Sequence, residues 1–343
     1  MNVPRLSISV VIPTFNMASF LHETLRSLTE SINRSDWKLN EIVIVNDGST
    51  DDTLSKLESI RDELDLGDYL LVISQENMGR FLSRKAGLES ATGEYVLLID
   101  SRVSIGLGSM QFAHSELVND QKAFTGHIEV DPSSKSIGYF WSSIEKLAWS
   151  AYWNNPRACK IDDNNFERYP IGTTCFIAPR EWLVEAVDAF NSKFSNLKFA
   201  NDDTAVLSHI VNNHGVHIDP SWNALYKPRQ LFSGFMRHAN HRGKVFIDAH
   251  AKIGGRWFFP LLLAFLGAVL FAVILVTNPI AAILLALIIP ILATAYVLYQ
   301  GLDKNHAKSV FIYTIPFAIT YGSGLISGIL KLVKSRLKID RSA

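Results

Sequence analysis

From Trp257 to Leu302 the chain has not one Asp, Glu, Lys or Arg. A helix needs about 20 apolar residues to cross the hydrocarbon core of a bilayer. This stretch therefore predicts two crossings, at about 257–277 and 280–300, hinged at Thr277-Asn278-Pro279, where a polar pair and a proline suit a tight loop. A third uncharged stretch, Ser309 to Leu330, is also long enough to span but carries Pro316, Gly322, Gly324 and Gly328. Lysine and arginine collect on the cytoplasmic side of membrane proteins. Lys227, Arg229, Arg237, Arg242, Lys244, Lys252 and Arg256 all precede the first span, which predicts an integral membrane protein, of the inner or plasma membrane in a bacterium, with the preceding domain in the cytoplasm. Two crossings return Lys304 and Lys308 to that face, whereas a third would carry Lys331, Lys334, Arg336, Lys338 and Arg341 to the other. The third segment is thus left open between a full crossing and a re-entrant or interfacial helix.

Ahead of the membrane segments, short β-branched runs alternate with helical patterns, the sign of βαβ units and a largely parallel sheet. Ile8 to Ile12, Glu41 to Val45, Leu70 to Ser74 and Tyr95 to Ile99 read as strands, with helices at Asn16 to Leu28, after Asp52, and from Arg80 to Ser90. Polar residues gather at the carboxyl ends of these strands, the edge at which open α/β sheets bind ligands. The organisation expected is an α/β domain over 1–226, a basic amphipathic interfacial segment over 227–256, and transmembrane helices with a basic tail over 257–343. Balanced charge, with 33 basic and 33 acidic residues, argues against a broad cationic surface for nucleic acid. The two cysteines, Cys159 and Cys175, are too few for a disulfide framework and lack zinc-site spacing.

Four strings, VVIPTFN at 10–16, EIVIVNDGSTDDT at 41–53, ENMGRFLSRKAGLESATGEYVLLIDS at 76–101 and NDDTAVLSHIVNNHGVHIDPS at 201–221, resemble the family 2 glycosyltransferases in the same order. The resemblance implies a GT-A-type, Rossmann-like catalytic domain that uses a nucleotide sugar, with a preference for uridine, and works by inversion. It places Thr14, Asn16, Asp47, Gly48 and Arg84 in the nucleotide pocket. On residue chemistry alone, Asp47 has the alternative reading of an Asx-turn that shapes its loop, and an isolated helical arginine such as Arg84 is more often solvated surface. Asp100 matches the first aspartate of the D-x-D motif, which holds Mg²⁺ or Mn²⁺ against the donor's diphosphate. The chain departs from that motif at its third position, reading Asp100-Ser101-Arg102. Arg102 is able to neutralise the diphosphate itself, since a guanidinium forks well onto phosphate oxygens.

The likeness assigns Asp203 as the base that takes the acceptor hydroxyl's proton, with Asp202 beside it, although two acids at a helix start are also what ordinary capping produces. Gly172, Thr173 and Thr174 fall on the acceptor side. In LFSGFMRHANHRGK, Arg237, His238, His241 and Arg242 resemble the segment that closes over the diphosphate, and an amphipathic helix on anionic lipid would show the same pattern. The Q-x-x-R-W signature of processive synthases is absent. Beside the nucleotide sugar, the expected partners are the bilayer and a membrane-associated or lipid-linked glycan acceptor. Gly322, Gly324 and Gly328 leave room for close helix packing or a homo-oligomer.

Overall fold

The computed structural model describes residues 5–131, 133–194, 196–250 and 258–339. Strands β1 (Ser7–Thr14), β2 (Lys38–Asp47), β3 (Leu70–Gln75) and β4 (Tyr95–Ile99) alternate with helices α1 (Leu21–Asn33), α2 (Thr53–Glu63) and α3 (Arg80–Ser90). There follow β5 (Val103–Ile105), α4 (Ser109–Leu117), β6 (Phe124–Val130), α5 (Ser136–Ala148), α6 (Ser150–Trp153), β7 (Cys159–Ile161), β8 (Cys175–Pro179), α7 (Arg180–Asp188), α8 (Asp202–Asn213) and β9 (Val216–Tyr226). The strands β1 to β9 join one sheet in the order β3-β2-β1-β4-β8-β6-β9-β5, with β7 paired to β9. The sheet is parallel from β3 to β4 and becomes mixed where β8 runs antiparallel to both β4 and β6.

Apolar runs explain the central strands. Tyr95–Ile99 is buried throughout, as expected of a strand covered on both faces. One sheet face packs Val10, Ile12, Ile42 and Ile44 against Leu21, Leu25 and Leu28 of α1, and the other packs Val11, Val43 and Val45 against α3. The first helix begins at Leu21, not at Asn16 as the sequence pattern suggests. Asn16 adopts a left-handed backbone (φ 54°), and its side-chain Oδ1 accepts from the Thr50 amide at 2.8 Å, so it serves as a loop tie between the ends of β1 and β2.

Beyond the sheet lie α9 (Phe232–His250), α10 (Phe258–Thr277), α11 (Pro279–Tyr299) and α12 (Lys304–Ile339). Among the described residues, Pro279–Tyr299 and Lys304–Lys334 are long and apolar enough to cross a membrane. Asn278 caps α11 by accepting from the Ala281 amide at 3.1 Å, and Pro279 opens the helix where a missing N–H does no harm. The third apolar segment is one unbroken helix that starts earlier than 309 and runs through Pro316. It lies against α9 and α5, where Ile137, Phe140, Trp141, Phe235, Ala239, Val310 and Tyr313 form a separate apolar cluster. Gly324 and Gly243 bring α12 and α9 into backbone contact: a Cβ on Gly324 would sit 2.1 Å from the Asn240 carbonyl oxygen, and one on Gly243 2.2 Å from that of Tyr321.

Candidate active site

The carboxyl ends of β1, β2, β3 and β4 form one ledge, and the start of α8 closes it. At the end of β2, Asp47 is buried, and its carboxylate accepts from the Gln75 amide side chain at 2.8 Å and from the Met78 and Gly79 backbone amides at 2.8 and 2.9 Å. In the described state Asp47 therefore holds the β3–α3 loop, and Gly79 makes that loop possible: its φ is +93° and a Cβ there would fall 2.6 Å from Lys198 Cα. Gly48, at φ +71°, turns the chain directly after Asp47. Thr14 is buried at the end of β1, its hydroxyl donating to the Ile12 carbonyl at 3.3 Å.

Arg84 is the centre of the charged part of the site. It projects from α3 and is 3% exposed; its Nη1 contacts Asp202 Oδ2 at 2.7 Å and Asp203 Oδ1, while Nη2 lies 3.4 Å from Asp100 Oδ1. Arg80 stands one helical turn earlier on the same face, its Nη2 2.9 Å from Asp203 Oδ2. Thr173 donates its hydroxyl to Asp203. Burial works to raise the Asp203 carboxyl, but the charges of Arg80 and Arg84 and the Thr173 hydrogen bond outweigh it and hold Asp203 well below the usual carboxylate range. Burial likewise opposes the charge on Arg84, and Asp203, Asp202 and Asp100 more than offset it, so the guanidinium stays charged. Asp202 Oδ1 and Arg84 Nε are buried without a hydrogen-bond partner.

The backbone around Thr173 joins the two acidic sites. The Asp100 amide donates to the Thr174 carbonyl at 3.0 Å, and the Gly172 carbonyl accepts from the Thr125 hydroxyl at 3.1 Å. Facing them is a ledge of cations. Arg102 lies over the Tyr226 ring, 4.8 Å from its centroid. Arg229 neighbours Arg102 and Arg237. Trp141 of α5 carries Arg242 over its ring, 5.0 Å from the centroid, with the His238 ring centroid also 5.0 Å away. Desolvation first, then Arg242, Arg102, Arg229 and His241, keep His238 below its ordinary value; desolvation followed by Arg80, Lys244, Arg242 and Arg229 does the same for His241. Among the described residues, no carboxylate forms a salt bridge with Arg102, Arg229 or Arg237, and Arg242 has Glu145 within range of its charge without a direct bridge.

Arg84, which the resemblance assigns to the nucleotide pocket, lies against Asp100, Asp202 and Asp203 in the structure. The resemblance also assigns Asp100 as a metal ligand. Here the acid pairs with Arg84, the next side chain, Ser101, is buried and donates to the Pro13 carbonyl at 3.0 Å, and the third is a cation. Among the described residues no group of three or more His, Cys, Asp or Glu is arranged to hold a metal ion. A single carboxylate that already pairs with Arg84, with a cation two residues on, is not by itself a ligand set for a divalent ion. Arg80, Arg229 and Gln75 were not foreseen. The four-residue spacing of Arg80 and Arg84 was the available signal for the first.

Residues 9–101 match the family described as Glycosyl transferase family 2. The chain carries a family 2 glycosyltransferase domain. This domain is 36% identical over 94 residues to "Glycosyltransferase GlyA" of Streptococcus pneumoniae, covering 27% of this chain and 12% of that protein. It is 34% identical over 103 residues to "Cholesterol galactosyltransferase" of Borreliella burgdorferi, covering 30% and 27%. The match thus spans well under a third of either relative's length. Among solved structures, the mannosyltransferase PcManGT from Pyrobaculum calidifontis, in complex with GDP-Man and Mn²⁺, superposes with a TM-score of 0.52 at 17% identity, over 94% of this chain and 88% of that one. That likeness is one of fold, the GT-A arrangement.

Proposed function

We propose that this chain transfers a sugar, with inversion, from a nucleotide sugar to a hydroxyl of a membrane-associated, lipid-linked acceptor, in surface polysaccharide or glycolipid synthesis. The observation that carries the reading is Asp203 held by Arg80, Arg84 and Thr173, with Arg80 close enough to His241 of α9 to act on it and Arg102 close enough to act on His238 of the same helix. The acceptor oxygen attacks the anomeric carbon and its proton passes to Asp203. The bond from that carbon to the diphosphate breaks, and the electron pair leaves with the nucleoside diphosphate. Arg102, Arg229 and Arg242 receive the charge that develops on the leaving group, the role commonly filled in this fold by a divalent ion. The matched relative named for a cholesterol acceptor favours a lipid-borne substrate here, and the apolar C-terminal helices would hold the domain at a membrane, with its active site on the cytoplasmic face.

A second reading, transfer onto a polyprenyl phosphate, is favoured by one observation. Arg80 and Arg84 so depress Asp203 that it is a weak base, and a phosphate acceptor needs little base at all. Both readings are tested on purified protein, with nucleoside diphosphates and nucleotide sugars titrated calorimetrically with Mn²⁺ or a chelator, and turnover followed with membrane lipid extract or polyprenyl phosphate. Asp203→Asn should leave donor binding within about threefold and lower turnover by ~10²–10⁴-fold on a hydroxyl acceptor. Unchanged turnover on polyprenyl phosphate supports the second reading. Arg102→Ala should weaken diphosphate binding at least about tenfold, and nucleotide binding that strictly requires Mn²⁺ and is lost with Asp100→Ala would overturn the assignment of the cations to the leaving group.

A further inference from the structure

Helices α11 and α12 both pass a test of length and apolarity, yet they expose their apolar residues differently. On α11 the exposed residues, including Ile280, Leu285, Ile288, Ile289 and Leu292, spread over more than half of the circumference, leaving only the side of Ala282, Pro290 and Val297 buried. On α12 they fall on one face: Ile312, Ile319, Ile326 and Val333 recur every seven residues, with Ile329 and Leu330 beside them. The opposite face of α12 is fastened to the globular domain along its length. His306 Nε2 lies 3.4 Å from Ser142 Oγ, the Tyr313 hydroxyl 3.0 Å from Ser136 Oγ, and Asn240 Nδ2 donates to Ser323 Oγ at 2.8 Å. Further on, a Cβ on Gly328 would meet the Lys244 carbonyl oxygen at 2.6 Å, and the Lys331 ammonium sits 3.7 Å from the centroid of the Phe199 ring.

The contacts with α9 advance together along both helices, from Phe235 against Tyr313 through Asn240 against Ser323 to Lys244 against Gly328, so α9 and α12 lie side by side and parallel. A crossing by α12 would therefore place Arg237, Arg242, Lys244 and Asp248 of α9, and the loop around Phe199, at hydrocarbon depth. Charges there are costly unless they face a partner or water, and irregular backbone is not tolerated against lipid. We infer that α12 does not cross the bilayer but lies along its cytoplasmic surface, its Ile312–Ile319–Ile326–Val333 face seated at the boundary between headgroups and acyl chains, as amphipathic interfacial helices do. Lys308 and Lys334 close the two ends of the exposed apolar face, where they meet anionic headgroups. The assignment also removes the conflict in the charge pattern: Lys304, Lys308 and the basic tail all stay on one side.

The inference rests on the reading that α10 and α11 form a membrane hairpin, and the test separates the two. Cysteines are placed one at a time at Thr277, Asn305 and Lys334 of the full chain, with Cys159→Ser and the fully buried Cys175 retained, and probed in sealed membranes of known orientation with an impermeant maleimide. The result expected is labelling of Thr277→Cys from the periplasmic or external face, and of Asn305→Cys and Lys334→Cys from the cytoplasmic face. Lys334→Cys labelled from the face opposite to Asn305→Cys would overturn the inference, while Thr277→Cys and Asn305→Cys labelled from one face would sink the hairpin and the inference with it. A fluorophore on Ile326→Cys should be quenched by nitroxide near the headgroup end of the acyl chain more than by nitroxide at the bilayer centre. Protection from both quenchers, together with disulfide-linked dimers through that cysteine, would mean that a second copy of the chain covers the face.

Discussion

Replacing Arg84 with methionine keeps much of the side chain's apolar bulk and removes its charge. Arg84 is 3% exposed and touches Asp202, itself 3% exposed, as well as Asp203 and Asp100. Breaking a buried pair by removing one partner costs about 3–5 kcal/mol, because the other charge is left uncompensated. Arg80 survives as a partner for Asp203 but stands 3.8 Å from Asp202 through its Nε, so Asp202 bears most of the loss. For a domain of 150–250 residues each kcal/mol corresponds to about 2–4 °C in Tm, which gives a fall of roughly 6–20 °C. The sign with pH follows from Asp203, whose folded value is held below the unfolded one. Its stabilisation is complete above the ordinary aspartate value of about 3.9 and is lost only as pH falls through the folded value, so the full deficit is expected at pH 7. Thermal unfolding of detergent-solubilised wild type, Arg84→Met and the double variant Arg84→Met/Asp202→Asn would measure it. The double variant should recover a substantial part of the loss, since the stranded buried charge is gone. A single-variant loss below about 2 °C, or no recovery in the double variant, would refute the claim that these carboxylates depend on Arg84.

Gly324→Leu should separate α12 from α9, because no side chain fits within 2.1 Å of the Asn240 carbonyl oxygen; protease cleavage between α11 and α12 would rise and Tm fall, as overpacking typically costs about 1–3 kcal/mol. Asp248 of α9 accepts from Ser192 Oγ and from the Lys193 and Asn201 amides at 2.8–2.9 Å, fixing the loop that delivers Asp202 and Asp203. Asp248→Ala should lower kcat about tenfold while donor KM stays within about threefold, and Asp248→Asn should restore part of it, since hydrogen bonds to a charged group are worth about 1.5–3 kcal/mol. Burial pushes the Glu145 carboxyl up to about 7, against the opposing charges of Arg242 and Lys146. The folded state then holds a proton that the unfolded chain gives up near 4.5, so stability falls as pH rises from about 4.5 to 7. Glu145→Gln should flatten that slope, read as Tm at pH 5 against pH 8.

The sheet was legible because its first four strands are continuous apolar runs whose chemistry leaves few alternatives, and the start of α3 at Arg80 and the strand Tyr95–Ile99 fall where the pattern puts them. The mixed half was not legible. Strands β5 and β7 are three residues each, too short for a period to show, and β8 is set antiparallel by pairing with β4 across some 80 residues of chain. The acids of the site were visible as residues at strand ends and at a helix start, but their partners were not. Arg84 reads in sequence as one more polar helical position, and only the approach of α8 to α3 turns it into the shared counter-ion of Asp100, Asp202 and Asp203. The same holds for α12, whose residues 309–330 look like any membrane span until Gly243 and Gly324 dock it against a charged neighbour.

That neighbour, α9, touches three parts of the molecule at once. One side of α9 presents Arg242 and His238 to Trp141 and the cationic ledge; its glycine face accepts α12; and Asp248 near its end ties down the loop that precedes Asp202. Packed helices stand about 8–10 Å apart. A bilayer under α12 would then lie one helix away from the cations and from the base, near enough for the headgroup end of a lipid-borne acceptor to reach the edge of the ledge while its tail stays in the acyl region. Moving α12 therefore perturbs more than the anchor, because any shift transmitted through Gly243 also displaces Asp248 and with it the loop that sets Asp203 between Arg80 and Thr173. In the proposed reading, membrane attachment, the cationic ledge and base position all depend on the same helix, which is why variants at Gly324 and Asp248 should share a loss of turnover although neither residue touches the reacting groups.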